Sequence, residues 1–296
     1  MSSQPRIRSG HVGVDGARLF YREVGQGPTL VVLHGGPDFD HVYLLPELDR
    51  LAECYRMVYY DQRGRGRSNR GVRPEDVTIE SESDDLEELR SNLDVERFAL
   101  LGHSWGGILA MEYTARHPER VASLILMNTN PGSHQGRLNL VEHLAQVRTP
   151  EESRRMDELR SSSAFQRGDL ETEAEYYRIH FRPALARARD VPRVVARLRT
   201  HFTEESVLLA RQIERRLYEQ TWLQPEYDVL MRLADHPIPT LLIHGDRDFI
   251  PVEMAADIAE VLPNAELVVL QGCGHFPYLE QPDDLVRVID AFARRR

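Results

Sequence analysis

The chain is 296 residues long and carries 47 acidic against 37 basic side chains, a formal net charge of -10, and every basic residue is arginine. The absence of lysine excludes Schiff-base and pyridoxal-phosphate chemistry, Walker-type phosphate loops and Ser-Lys hydrolysis, all of which need the amine. The acidic balance argues against a nucleic-acid partner, 41% hydrophobic residues suffice for a sizeable core, and two cysteines, Cys54 and Cys273, make neither a disulfide framework nor a metal site.

Met1–Arg8 lacks the apolar stretch of a secretory leader, and no apolar run exceeds strand length, so a cytoplasmic chain without a membrane span is expected. Val12–Val14 and Gly16–Val24 predict a short antiparallel hairpin. Thr29–Leu33 reads as a buried strand ending in His34-Gly35-Gly36-Pro37. A helix is expected near 43–54 and a strand near 56–60, followed by Asp61-Gln62-Arg63-Gly64-Arg65-Gly66-Arg67-Ser68. The three arginines of that loop read as anchors rather than as a phosphate patch. A helix near 81–93 and a strand near 97–101 come next.

That strand runs into Gly102-His103-Ser104-Trp105-Gly106, and an amphipathic stretch from Gly107 to His117 follows. A serine at such a strand-to-helix bend has its hydroxyl pushed clear of the backbone. Small residues two places either side are needed because strand and helix come too close for a Cβ. The pattern therefore points to a serine nucleophile, with His103 beside it as a packing residue. A strand near 121–127 ends in Met127-Asn128-Thr129-Asn130, which holds no carboxylate.

Between Pro131 and His236 strand signals vanish and the chain becomes helical, polar and arginine-rich. Thr203 reads as an N-cap, with Glu204 and Glu205 favouring the helix dipole and Leu209, Ile213 and Leu217 facing inward. Arg160-Ser161-Ser162-Ser163 reads as a loop, Tyr176, Tyr177 and Trp222 as helix-packing aromatics, and Glu204, Glu205 and Glu214 as solvated surface. Strands return near 238–244, where His244 reads as a core histidine, and near 265–270. They end in Gly245-Asp246-Arg247-Asp248 and in Gly272-Cys273-Gly274-His275; helices are expected near 253–261 and 282–294. Alternating strands and helices imply an α/β architecture with a mostly parallel sheet and helices on both faces. A serine nucleophile needs a base and an orienting acid. His275 is the one histidine beyond Asp248, and Asp246 and Asp248 are the candidate acids.

These motifs, in this order, resemble the α/β-hydrolase superfamily over nearly the whole chain. H-G-G-P together with D-Q-R-G-x-G-x-S resembles its proline iminopeptidase-like group. The resemblance implies an α/β-hydrolase fold with a core of residues 1–130 and 237–296 and an inserted all-helical cap over 131–236. It implies Ser104 as nucleophile, His275 as base and, through the family's G-x-x-D spacing, Asp248 as acid. The backbone N–H groups of Gly36 and Trp105 would form the oxyanion hole, and tight oxyanion turns favour a cis bond before a proline such as Pro37. Serine at 104 rules out the aspartyl-ester route of dehalogenases. No cofactor or metal is implied, and the partner would be a small molecule or short peptide, with the oligomeric state open. Two features depart from the group. Its W-x-x-W-E segment is absent, since Trp222 is followed by Leu223-Gln224-Pro225-Glu226, and Asp38 stands where a second glycine is usual. An aminopeptidase, a carboxylesterase or lactonase of small esters, and a non-catalytic ligand-binding relative therefore stand as readings.

Overall fold

A computed structural model describes residues 7–295, so the expectation about a leader at Met1–Arg8 lies almost wholly outside the described residues. One eight-stranded sheet runs in the order β1 (Arg8–Val14), β2 (Ala17–Val24), β4 (Arg56–Tyr60), β3 (Thr29–Leu33), β5 (Phe98–His103), β6 (Val121–Met127), β7 (Thr240–Gly245) and β8 (Ala265–Leu270). β1 and β2 pair antiparallel, as do β2 and β4, and the remaining neighbours are parallel. From β3 the chain steps one way to β4 and then the other way to β5. The crevice at such a reversal, outside the carboxyl ends of the strands, is where open α/β sheets place ligands.

Both faces of the sheet are covered, so alternate residues of one strand enter different cores. Val31 and Leu33 pack with Leu86 of α1 (Ile79–Asn92) and Ile108 of α2 (Trp105–Arg116), whereas Leu30 and Val32 pack in the opposite cluster. Between β6 and β7 lie seven α-helices: α3 (His134–Val147), α4 (Pro150–Ser161), α5 (Ser163–Gln166), α6 (Leu170–His180), α7 (Val191–Leu198), α8 (Glu204–Gln220) and α9 (Val229–Leu233). The two ends of this insertion are zipped together by a bridge between Ser133 and Asp228. α10 (Val252–Val261), α11 (Pro277–Glu280) and α12 (Pro282–Ala293) complete the chain, with Leu285, Ile289 and Phe292 of α12 in the core.

Two expectations need correction. The helix near 43–54 is two short 3-10 segments, His41–Leu44 and Glu47–Glu53, separated at Pro46. Proline lacks the N–H that would continue a helix and steers the preceding residue to extended geometry, as seen at Leu45. Arg160–Ser163 is a helix junction rather than a loop, because the Ser162 hydroxyl accepts from Phe165 N–H and starts a new helix at once. Thr203 caps α8 with a reciprocal bond to Ser206. No helix of the described residues is long and apolar enough to cross a membrane.

The loop arginines act as anchors. Arg63 Nε donates to Asp85 at 2.9 Å, Arg65 pairs with Glu82, and Arg67 lies over the Phe20 ring at 4.2 Å. Burial pushes the Glu82 carboxyl up, and Arg65 draws it back. Removing one partner of a buried ion pair leaves the other charge uncompensated. Arg65→Ala is therefore expected to cost about 3–5 kcal/mol in urea unfolding, and Arg67→Ala about 1 kcal/mol. Equal losses would show that the buried pair is not what holds this loop to α1.

Candidate functional site

The carboxyl ends of β3, β5, β7 and β8 converge on one cavity of about 80 Å³ whose walls include Gly36, Ser104, Asn130 and His275. Ser104 sits at the end of β5 with φ 55° and ψ -119°, the strained bend expected of that pentapeptide. The flanking glycines are required by contact. A Cβ on Gly102 would drive into the Gly106 carbonyl, and one on Gly106 into the Leu33 carbonyl. Asn130 Nδ2 donates to Ser104 Oγ at 3.2 Å. Trp105 is the first residue of α2, so its N–H belongs to the helix end left without intrahelical acceptors. Gly36 faces the same cavity at φ 126°, a region closed to side chains, and the Gly36–Pro37 bond is cis.

Asp248 and His275 meet beside it. His275 Nδ1 lies 3.0 and 2.9 Å from the two Asp248 oxygens, so the ring donates to the carboxylate and its Nε2 is free to accept. Asn128 Nδ2 donates to Asp248 Oδ2 at 2.7 Å, and Ile250 N–H donates to Oδ1 at 3.1 Å. Burial pushes the Asp248 carboxyl up, but the His275 charge and hydrogen bond, with His244 and Asn128, bring it below its ordinary value. Asp246, the rival acid, is spent elsewhere: its Oδ1 accepts from the backbone N–H groups of Gly272 and Cys273. The structure thus brings Ser104, His275 and Asp248 into one neighbourhood and turns Asp246 to the β8 turn.

The sequence reading missed the residues that hold this neighbourhood together. Gly35 N–H donates to the Tyr43 hydroxyl at 2.7 Å, which donates to His103 Nδ1 at 2.7 Å, and His103 Nε2 donates to the His275 carbonyl at 2.8 Å. Burial and the neighbouring His275 bring the His103 pKa down to about 3, so the ring is neutral and can both accept and donate. His103 is therefore more than packing: it ties three loops into one frame. His34 fixes the turn after β3, since Gln62 N–H donates to its Nε2 at 3.1 Å. His244 is a core histidine bonded to the Ile250 carbonyl at 2.8 Å. Cys54 and Cys273 are free, and Cys273 is buried. Asp40, His41 and Asp61 bring ligand atoms within 4.8 Å of one another. Those atoms are already engaged, His41 with Asp61 and Asp40 with His201, both at 2.6 Å.

Above the cavity the insertion forms a chamber of about 640 Å³, and here two expectations change, for the cap aromatics and for Glu214. Trp222 lines the cavity beside Ser104, and Tyr176 and Tyr177 line the chamber. Glu204 and Glu205 are exposed as expected, but Glu214 is half-buried in the chamber wall and its carboxyl accepts from the Tyr218 hydroxyl at 3.0 Å. Burial and the charge of Asp38 push Glu214 up to about 8. Asp38 is buried against Tyr177, whose hydroxyl donates to it, and burial raises its carboxyl too. Glu173 pairs with Arg211 in the same wall.

A serine hydroxyl and an oriented imidazole at one partly apolar cavity can support acyl transfer. The alpha/beta hydrolase fold family model matches residues 28–282. Proline iminopeptidase of Lactobacillus helveticus is 29% identical, with 96% of each chain covered. Its counterpart from Clostridium botulinum is 28% identical over 98% of this chain and 99% of its own. The crystal structure of VinJ superposes with a TM-score of 0.79 at 24% identity, covering 97% of this chain and 98% of that one. The chain belongs to the α/β-hydrolase fold family and is a hydrolase of proline iminopeptidase-like sequence.

Proposed function

We propose that the protein hydrolyses a small acyl substrate through an acyl-enzyme on Ser104. His275 takes the Ser104 proton as Oγ attacks the carbonyl carbon, and Asp248 holds the imidazole in the productive tautomer and stabilises the imidazolium. Charge developing on the carbonyl oxygen is met by the N–H groups of Gly36 and Trp105, donors of a kind worth about 3 kcal/mol each in a dry site. His275 then returns the proton to the leaving group, and water releases the acyl group by the same roles reversed. The observation that carries this reading is the bidentate approach of His275 Nδ1 to Asp248 in the cavity that also holds Ser104. Residues 131–236 act as a cap that shields this chemistry from water.

The substrate class that the site supports best is a peptide with a free amino terminus. Asp38 is a buried and Glu214 a half-buried carboxyl in the chamber next to Gly36, and a protonated amine is the partner such groups lack. The sign of the pH effect follows from Glu214. Below about pH 8 its carboxyl holds a proton, and above that value it is the anion an ammonium needs. For L-prolyl-β-naphthylamide, kcat/KM is therefore expected to rise from pH 6 to 8 more steeply than for p-nitrophenyl acetate. Glu214→Gln should remove the excess rise and cost about tenfold or more on the amide. N-acetylation of the substrate should suppress cleavage, because the desolvated carboxyls are then left unpaired. The esterase or lactonase reading draws on the apolar inner walls, Phe39, Leu140 and Phe181 among them. It prevails if short p-nitrophenyl esters or lactones are turned over while both amides are ignored.

A further inference from the structure

The chamber wall holds arginines as well as acids, and they are not alike. Arg211 pairs with Glu173, and Arg160 with Asp157. Arg137 and Arg148 have no carboxylate partner among the described residues. Arg137 borders both the inner cavity and the chamber, its guanidinium 5.3 Å from the Trp222 ring centre. Arg148 donates to His180 Nδ1 at 3.1 Å, while its Nε is buried without a partner. Burial, with the charge of Arg148, brings His180 down to about 3, so the neutral ring accepts and offers no countercharge. Glu214, the acid facing Arg137, holds its proton below about pH 8. Both arginines are half-buried, a guanidinium partly withdrawn from water without an anion is costly, and its planar fork matches a carboxylate.

The position of these arginines is as informative as their lack of partners. The His275 ring packs edge-on against Phe249 at 4.8 Å, and Phe249 against His180 at 5.6 Å. Arg148 is thus linked, through the His180 and Phe249 rings, to the imidazole that hands its proton to the departing group. We propose that Arg137 and Arg148 bind a carboxylate carried by the leaving group, so that the favoured substrates are short and end in a free carboxylate. This rests on the reading of Ser104 and His275 given above. In the aminopeptidase case such substrates are di- and tripeptides with both ends charged, the amine toward Asp38 and Glu214 and the carboxylate toward the arginines. When the scissile bond breaks, the leaving amine or alcohol departs with the His275 proton and the acyl group stays on Ser104.

The test uses two esters with the same acetyl group, 4-acetoxyphenylacetate and 4-acetoxyphenylacetamide, which differ in the charge at the far end of the leaving group. The acid is expected to be turned over with a kcat/KM about ten- to a hundredfold higher, mostly through KM. Arg148→Gln and Arg137→Gln should each bring that ratio toward one, and Arg148→Lys should keep part of it. Equal rates for the two esters with the wild-type enzyme overturn the proposal, whatever the variants do. Turnover of neither ester above a Ser104→Ala blank overturns the serine-hydrolase reading and this proposal with it.

Discussion

Ser104→Ala is expected to abolish turnover of p-nitrophenyl acetate and to prevent labelling by a fluorophosphonate probe. In a serine-protease precedent the loss on removing the nucleophile is about a millionfold, because nucleophile, base and acid act as one unit. The substitution is a clean one. Alanine at φ 55° bears no more strain than serine does, and the lost hydroxyl forfeits one bond, from Asn130 at 3.2 Å. The fold should survive and the chemistry should not. His275→Ala should be nearly as damaging, and the double variant little worse than either. Probe labelling of a folded Ser104→Ala protein at the wild-type rate would refute the nucleophile assignment.

Asp248→Asn is expected to cut kcat by up to about four orders of magnitude, while Asp246→Asn should change it little. Asparagine keeps the shape of the side chain but can set an amide N–H against His275 Nδ1, which favours the tautomer with the ring proton on Nε2, where it cannot accept from Ser104. The same change removes the charge that Asn128 Nδ2 meets at 2.7 Å. At position 246 an amide oxygen can still accept from Gly272 and Cys273, so the β8 turn keeps its bonds. Steady-state rates on one activated ester, with circular dichroism to confirm folding, decide it. A reversed order of effects would move the acid to Asp246.

The sheet was legible because its central strands are apolar runs bounded by turn residues, such as Thr29–Leu33 and Val121–Met127, and every expected strand has a counterpart. The neighbourhood of Ser104 was legible because its residues follow directly on strand ends. What escaped the sequence has a common cause. Asn128, Asn130 and Tyr43 act across 120, 26 and 60 residues of chain, through polar atoms with no periodic signature. Glu214 was misplaced for a related reason. The stripe of Ile213 and Leu217 marks the core face of α8, and period alone makes the opposite side look solvated. Yet Arg211, Glu214 and Tyr218 form a second stripe, facing the chamber, so the helix is covered on two sides. A polar stripe beside an apolar one reads the same whether it meets water or a substrate.

The loop bearing His275 is fastened to the insertion as firmly as to the sheet. The His275 N–H donates to the Ala184 carbonyl at 2.7 Å, and the two oxygens of Glu280 bridge the Ala186 N–H at 2.9 Å and the Gly274 N–H at 3.1 Å. This limits how freely the chain can be recombined with its relatives. A chimera that transplants a foreign cap at the Ser133–Asp228 joint would strip a buried N–H of its acceptor, at about 1–3 kcal/mol, right beside the imidazole. A working graft must therefore import a carbonyl to the place of Ala184, and libraries that shuffle caps should keep residues 182–186 with the recipient core.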